Sequence, residues 1–139
     1  MQVRVFTAYA LRVLRYLAVH GQEAQTGPHI AREIGITYAN FAQTATKLAH
    51  CGLISSVDGR YGGYFLAKPA HDISLYDVFC AIEGELQMSP YSLEQKSLSA
   101  NGQNTQIFLS QFQSRMIAEL SSKSIADLGE EYTMTNERG

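Results

Sequence analysis

The sequence has few cysteines and no long apolar run, and both absences exclude classes of protein. Cys51 and Cys80 are its only cysteines, too few for a disulfide-stapled scaffold and compatible with the reducing environment of a cytoplasm. No apolar run approaches the roughly 18–20 residues of a membrane-spanning helix. Arg4, Arg12 and Arg15 interrupt the apolar pattern of the N-terminus, so we expect no signal peptide, no membrane partner and a cytoplasmic location.

Motifs of common enzyme chemistry are missing as well. The sequence contains no P-loop, G-x-S-x-G, H-E-x-x-H or Rossmann fingerprint. Its four histidines lack the spacing of a zinc site. The glycine-rich stretch 59–63 lies in a predicted hairpin, whereas a phosphate-binding loop lies between a strand and a helix. We therefore expect no enzyme, no catalytic residues and no metal site.

The net charge of −2 and the pI near 6.0 hide a division of charge along the chain. Residues 1–69 hold seven Lys and Arg against three acids, a balance of +4. Residues 70–139 hold four against ten, a balance of −6. The net charge of the whole chain argues against a nucleic-acid-binding protein, whereas the basic first half is compatible with one.

Three helices are predicted before residue 53. Apolar residues at helical spacing predict the first over 5–20. Pro28 suits the first turn of a second helix, which stops at Gly35. Thr37 is a good N-cap for a third helix that ends at Gly52. The residues predicted to be buried are Leu11, Leu14, Leu17 and Ala18 in the first helix and Phe41, Ala45 and Leu48 in the third.

A change of period after the third helix predicts a β-hairpin. Two short β-prone runs, 53–57 and 64–67, flank a Gly-rich reversal. A fourth helix follows, capped by Asp72 or Ser74, and it ends at Gly84. Two short helices joined by a tight turn are by themselves weak evidence for a helix-turn-helix, but a hairpin directly after them indicates a winged helix. The predicted fold class is mainly α with a small β-hairpin.

In a winged helix the third helix enters the major groove of DNA, while the wing reaches the neighbouring backbone or minor groove. Hydroxyl and amide side chains bond base edges, and lysine pairs with phosphate. Arginine at a wing tip suits a narrow minor groove. We predict that Tyr38, Asn40 and Gln43 specify bases and that Thr37 and Lys47 contact phosphates. The full predicted set is Thr37, Tyr38, Asn40, Gln43, Thr44 and Lys47 on the exposed helix face, with Arg60 and Tyr61 on the wing.

Several stretches carry a family resemblance. They are Gly35–Thr37, Lys47–Leu48, Gly52–Ile54, the wing DGRYGGYFLAKP at 58–69 and ISLYDVFCAIEG at 73–84. In this order they resemble the Rrf2 family of bacterial transcription regulators, strongly over 1–84 and loosely over 105–128. The resemblance implies a homodimeric winged-helix DNA-binding protein whose long C-terminal helix crosses to the partner subunit.

A helical period returns at 105–128, between a polar segment at 85–104 and a charged tail at 129–139 that we expect to fray. A single helix beyond a winged-helix domain of residues 1–84 has little of its own to pack on, so we expect it to pair with a symmetric copy. Packing back on its own domain is the alternative. The residues predicted at the dimer interface are Leu109, Phe112, Met116 and Leu120.

The segment 85–104 departs from the cluster-binding members of the family, which carry three cysteines there. It contains no Cys, His or Asp, and iron–sulfur sites need thiolates or at least imidazoles. We therefore expect no cofactor and a place in the cluster-free branch, with this segment as a sensing loop for a small molecule or a partner protein. Cys51 is either a redox-sensing thiol beside the third helix or a buried small residue.

The wing departs from the family pattern too. Asp58 stands where many relatives carry arginine, and Arg60 stands where they carry proline. Ala42 occupies a position that is often acidic, so base preference does not transfer. The predicted function is a sequence-specific transcriptional regulator, a repressor that binds a near-palindromic operator in double-stranded DNA as a homodimer. The alternative is a winged-helix module that binds another protein, and salt-dependent binding to duplex DNA separates the two.

Overall fold

The structure is a computed structural model that describes residues 4–85 and 100–128. Residues 1–3, 86–99 and 129–139 lie outside it, so the predictions of a sensing loop over most of 85–104 and of a frayed tail fall beyond the described residues. The described residues form five α-helices, one β-hairpin, a 3-10 turn and a last helical turn at 125–128.

Helix α1 (Val5–His20) has the bounds that the sequence predicts. The prediction that Ala18 is buried is wrong, because this residue is exposed. Each residue turns a helix by about 100°, which carries Ala18 from the buried position of Leu17 to the solvent side. Leu11 is half-buried at the margin of the buried stripe. The buried residues of α1 are Thr7, Ala10, Val13, Leu14 and Leu17.

Helices α2 (Gly27–Ile34) and α3 (Tyr38–His50) form the predicted helix-turn-helix. Thr26 caps α2 by accepting a hydrogen bond from the backbone N–H of His29. Gly35 ends α2 in the left-handed conformation, at φ 77°, which glycine adopts without steric cost. Only a short turn separates the end of α2 from the start of α3, so the two helices are held close together.

The wing consists of β1 (Ile54–Val57) and β2 (Gly63–Leu66), which pair antiparallel with Ile54 opposite Leu66. A third stretch of backbone joins them, because Gln25 forms an isolated bridge with Tyr64. The N–H of Tyr64 donates to the carbonyl of Gln25 at 2.7 Å, and the N–H of Gln25 donates back at 3.1 Å. The loop before α2 is therefore attached to the wing.

Helix α4 (Leu75–Glu83) begins at Ser74, which settles the choice between the two predicted caps. Ser74 and Asp77 form a capping box in which each side chain accepts a hydrogen bond of 3.0 Å from the other's backbone N–H. Asp72 lies in the preceding 3-10 turn, Ala70–Asp72. Gly84 ends the helix as predicted.

Helix α5 (Ala100–Ser122) begins earlier and ends earlier than the predicted span of 105–128. After Ser122 the backbone returns to the winged-helix domain, where Ser124 bridges Ser74. The N–H of Leu75 donates to the carbonyl of Lys123 at 2.9 Å, and the N–H of Ile125 donates to the carbonyl of Ile73 at 3.0 Å. No helix in the two described ranges is long and apolar enough to cross a membrane.

The core lies where the helices and the wing meet, and it includes a side chain from beyond α5. Ile125 is fully buried in the same cluster as Ile73 and Val78. The boundary of the winged-helix domain at residue 84 stays a prediction, but the core of this domain contains Ile125, which lies beyond that boundary. The predicted burial of Phe41, Ala45 and Leu48 is confirmed. The largest fully buried apolar side chains are Phe41, Leu14, Leu17, Ile30, Leu48, Leu53, Ile73 and Ile125.

Candidate nucleic-acid interface

The exposed face of α3 lies opposite the buried Phe41. Gln43 is exposed on this face. Tyr38 is 55% exposed at the first position of the helix. Asn40, two residues further along the helix, is half-buried. The structure therefore brings the three side chains predicted to specify bases to the N-terminal half of one helix.

Thr44 does not belong to this face, and its predicted placement there is wrong. The residue is fully buried. Its hydroxyl donates to the carbonyl of Asn40, one turn earlier, at 2.8 Å. This bond within the helix satisfies the polar group, which allows Thr44 to occupy an interior position beside the core.

Thr37 has a structural task at the start of α3. Its hydroxyl oxygen accepts a hydrogen bond from the backbone N–H of Asn40 at 3.1 Å, which caps the helix. The side chain is exposed. The predicted phosphate contact of Thr37 stays a prediction.

Periodicity adds three residues to the exposed face of α3 that sequence reasoning missed. Ala39, Thr46 and His50 are exposed at intervals of seven and four residues, which is the spacing of one helix face. The apolar positions of α3 could have predicted these three residues, because helical geometry places the exposed face opposite the buried one.

Lys47 lies at the edge of α3 and is directed towards α1. Its ammonium is 5.9 Å from the centroid of the Phe6 ring, a cation–π distance. The side chain is half-buried. Its charge is close enough to Glu83 of α4 to help lower the pKa of that carboxyl. A phosphate contact by Lys47 would therefore compete with contacts inside the protein.

At the wing tip, Arg60 and Tyr61 lie together. The guanidinium of Arg60 stands 5.7 Å from the centroid of the Tyr61 ring, and Tyr61 is 86% exposed. The turn closes through a hydrogen bond of 3.0 Å from the N–H of Gly62 to the carbonyl of Gly59. Asp58 is also exposed at the tip, so the cation and an acid share this surface.

The two thiols lie on different helices. Cys51 follows α3, is exposed, and donates its backbone N–H to the carbonyl of Lys47 at 3.2 Å. The buried alternative for Cys51 is therefore wrong, whereas its redox role stays a prediction. Cys80 is half-buried in α4.

Glu83 joins the end of α4 to the start of α1. Its Oε1 accepts hydrogen bonds from the backbone N–H of Arg4 at 2.8 Å and from the hydroxyl of the buried Thr7 at 2.7 Å. Burial alone would raise the pKa of Glu83, but these bonds and the charges of Arg4 and Lys47 outweigh it and lower the pKa. An ionised carboxylate thus holds together the elements that pack behind α3.

We expect Glu83→Gln to lower the free energy of unfolding at neutral pH by about 1–2 kcal/mol, because charge-assisted hydrogen bonds are replaced by weaker ones. Since the pKa of Glu83 in the folded protein lies below its ordinary value of 4.5, the stabilisation is complete above that value. It is lost as the pH falls through the folded-state pKa. Denaturant titrations from pH 7 to pH 3 measure this loss.

The exposed Glu23 provides the control, and Glu23→Gln should change little at any pH. If the difference between the protein and Glu83→Gln is as large in acid as at neutral pH, the ionised carboxylate does not cause it.

The predicted interface residues on α5 follow one stripe of the helix at intervals of three or four residues, but they differ in exposure. Leu109, Met116 and Leu120 are half-buried within the single chain. Phe112 is exposed, together with Phe108, which widens the predicted stripe, and Ile107, which the prediction did not include. The rings of Phe108 and Phe112 stack with centroids 6.4 Å apart. The exposed apolar surface of α5 is therefore centred on the two phenylalanines.

A helix-turn-helix followed by a two-stranded wing defines a winged-helix protein. Residues 4–131 match the model of the Rrf2 family, described as an iron-dependent transcriptional regulator. Because this match covers most of the chain, the protein belongs to the Rrf2 family of transcriptional regulators.

Individual relatives agree with this assignment. The chain is 35% identical to protein aau3 of Rhizobium meliloti over 89 residues, which cover 64% of this chain and 58% of that one. It is 32% identical to the HTH-type transcriptional repressor NsrR of Streptomyces coelicolor over 90 residues, covering 63% of this chain and 61% of the other. The matches thus span about three fifths of these relatives' length.

The solved structures support the fold. CymR of B. subtilis, the global cysteine regulator, superposes with a TM-score of 0.75 at 23% identity, covering 94% of this chain and 98% of the other. At this identity the likeness shows the winged-helix architecture.

The family description names iron, but the residues of this chain do not fit an iron–sulfur cluster. Segment 85–104 contains no cysteine or histidine. Within 4–85 and 100–128, no group of three or more His, Cys, Asp or Glu side chains comes together as metal ligands. Cys51 and Cys80 supply two thiols from separate helices, whereas such clusters are held by three or four ligands.

Proposed function

We propose that this protein is a sequence-specific DNA-binding repressor that acts as a homodimer and carries no iron–sulfur cluster. The observation that carries the proposal is the joint exposure of Tyr38 and Gln43 on α3 and of Arg60 and Tyr61 on the wing. An amide and a hydroxyl suit base edges in the major groove, and the arginine suits the backbone or minor groove.

Dimerisation is supported by the exposed apolar surface of α5. Ile107 is 56% exposed, Phe108 63% and Phe112 41%, and such residues on one helix are costly to leave in water. A twofold partner would cover them with the same surface of a second copy. Two copies of α3 about 34 Å apart would then require a near-palindromic operator.

Repression and the absence of a cluster have separate support. The relative NsrR of Streptomyces coelicolor is named a transcriptional repressor, and a bound dimer blocks a promoter without any further activity. The donor set argues against a cluster, because the sequence offers only two cysteines. A spectrum of anaerobically purified protein tests this part, and a cluster absorbance band would overturn it.

Selection from a pool of random duplex DNA tests the proposed function. We expect one enriched near-palindromic motif and an affinity that falls steeply with salt, because phosphate contacts release counterions. A protein that binds neither random nor selected DNA at low salt would instead be a winged-helix module for another protein. The exposed polar face of α3 would then be its partner surface.

We expect Arg60→Ala to weaken operator binding by about five- to ten-fold and to reduce the salt slope by about one unit, because one phosphate or minor-groove contact is lost. Lys68→Ala is the control, since it removes an exposed cation next to the wing strands. Fluorescence anisotropy at several salt concentrations measures both quantities. Unchanged affinity and sequence preference in Arg60→Ala would remove the wing from the mechanism.

A further inference from the structure

We infer that Gly27 is a specificity-determining positioning residue: its missing side chain makes the space in which the Tyr38 ring is held for contact with DNA. The inference rests on the proposed function. Gly27 is the buried first residue of α2, and Tyr38 is the first residue of α3. The two residues therefore meet where the two helices of the helix-turn-helix begin.

The contact at Gly27 is too close for any side chain. A Cβ atom added there would lie 2.9 Å from Cε2 of Tyr38 and 2.9 Å from Cε1 of Phe41. Carbon atoms at van der Waals contact are about 3.5–4.0 Å apart, so neither ring can keep its present position. The backbone of Gly27 does not adopt a positive φ, so the requirement for glycine at this position is one of space.

Three observations indicate which ring moves further. Phe41 is fully buried and packs edge-on against Tyr64 with centroids 5.2 Å apart. The chain before Gly27 is fixed, because Gln25 exchanges two backbone hydrogen bonds with Tyr64. Tyr38 has more than half of its surface in solvent. A side chain at position 27 would therefore displace both rings, and Tyr38 would move further because Phe41 is held by the core.

The position of the Tyr38 ring determines what it offers to DNA. Its ring lies nearly parallel to that of Phe41, at 26° with centroids 6.2 Å apart. Gly27 and Phe41 lie against the ring, and more than half of the Tyr38 surface stays open to a ligand. An aromatic surface packs on the thymine methyl group, and a hydroxyl bonds a base edge. Moving the ring changes both contacts.

A double-mutant cycle on the full chain tests the inference. We expect Gly27→Ala and Tyr38→Ala each to lower affinity for the selected operator by roughly ten-fold, the size of one base contact. The double variant should lose no more than either single variant, because the two changes remove the same contact. Pro28→Ala is the control, since it alters the exposed neighbouring position and adds no atom near the ring.

Selection from random DNA should also show that Gly27→Ala and Tyr38→Ala relax preference at the same operator positions, which a loss of stability alone would not do. Additive losses in the cycle, or unchanged affinity in Gly27→Ala, would overturn the inference. Should Gly27→Ala not fold, the double variant decides: its recovery identifies Tyr38 as the obstructing ring, and its failure identifies Phe41 and overturns the inference.

NMR spectra of the free protein separate this inference from the proposed function. We expect Gly27→Ala to shift the ring resonances of Tyr38 much more than those of Phe41. If the unaltered protein selects no DNA sequence, the proposed function fails and so does a role in specificity. Unmoved Tyr38 resonances would overturn the steric inference whatever the protein binds.

Discussion

Replacing Phe108 and Phe112 together by glutamate should turn the proposed dimer into a monomer. The two rings are exposed and stacked on α5, so in a twofold assembly they would meet the same pair from the partner. Charges placed there would be buried without partners and would repel their symmetric copies. The fold of the single chain should survive, because neither ring belongs to its core.

Loss of the dimer should lower operator affinity by at least about a hundred-fold. A dimer holds two recognition helices at one operator, and binding of the second is favoured by the high effective concentration after the first. A monomer has only one half-site contact, and the basic balance of its residues 1–69 is only +4. Multi-angle light scattering measures the mass, and fluorescence anisotropy on the selected operator measures the affinity.

The matched control places the same two charges elsewhere on α5. Ser114 and Ser121 are exposed, and helical geometry places them on another side from the phenylalanines. Ser114→Glu with Ser121→Glu should leave the mass and most of the affinity unchanged. A Phe108→Glu and Phe112→Glu variant that still weighs as a dimer would show that the interface lies elsewhere.

Ile125→Ala should lower the free energy of unfolding by about 2–4 kcal/mol, the range for removing a fully buried aliphatic side chain. Ile125 is fully buried in the core, and its backbone N–H donates to the carbonyl of Ile73. The cavity would lie between α4 and the residues after α5. Denaturant titration followed by circular dichroism measures the change.

Leu128 offers the comparison, because it is only partly buried against the same core. Leu128→Ala should cost less than half as much as Ile125→Ala. Equal, small losses in both variants would mean that the residues after α5 add little to the domain, contrary to the hydrogen bonds that attach them.

Local signals predicted the boundaries of α1, α2, α3 and α4 to within about one residue. Thr37 and Ser74 each precede a run of helical periodicity and cap the helix that follows. Gly35 ends α2 because glycine adopts a positive φ without steric strain. The wing was equally visible as two short runs around glycines. These signals need no knowledge of distant contacts.

The end of α5 could not be predicted from periodicity, although a local signal was present. Ser124 and Asp127 exchange side-chain and backbone hydrogen bonds, at 2.8 Å and 3.4 Å, as in a capping box. The spacing S-x-x-D marks a new helical turn, but apolar residues on both sides continue the helical period across it. The burial of Ile125 depends on a bridge to Ser74, which only the folded chain reveals.

Exposure could be predicted for most of the candidate site residues, and the exposure predicted for Thr44 is wrong. The polar character of Gln43 and Thr44 predicted that both side chains are exposed. Burial depends instead on the angle of each residue around the helix axis, and that angle turns Thr44 towards the core. The contact between Gly27 and Tyr38 joins two helices, so the sequence of either helix alone does not predict it. The direction of Lys47 towards Phe6 is likewise a contact between elements.

The return of the chain after α5 has a practical consequence for chimeric regulators. Residues 1–84 hold every element of the winged helix, which invites their transfer onto a foreign dimerising segment. Such a hybrid would lack Ile125 in its core and would leave the backbone of Ile73 and Leu75 without the partners at Lys123 and Ile125. A functional exchange between members of this architecture should therefore carry residues 123–128 along with the wing.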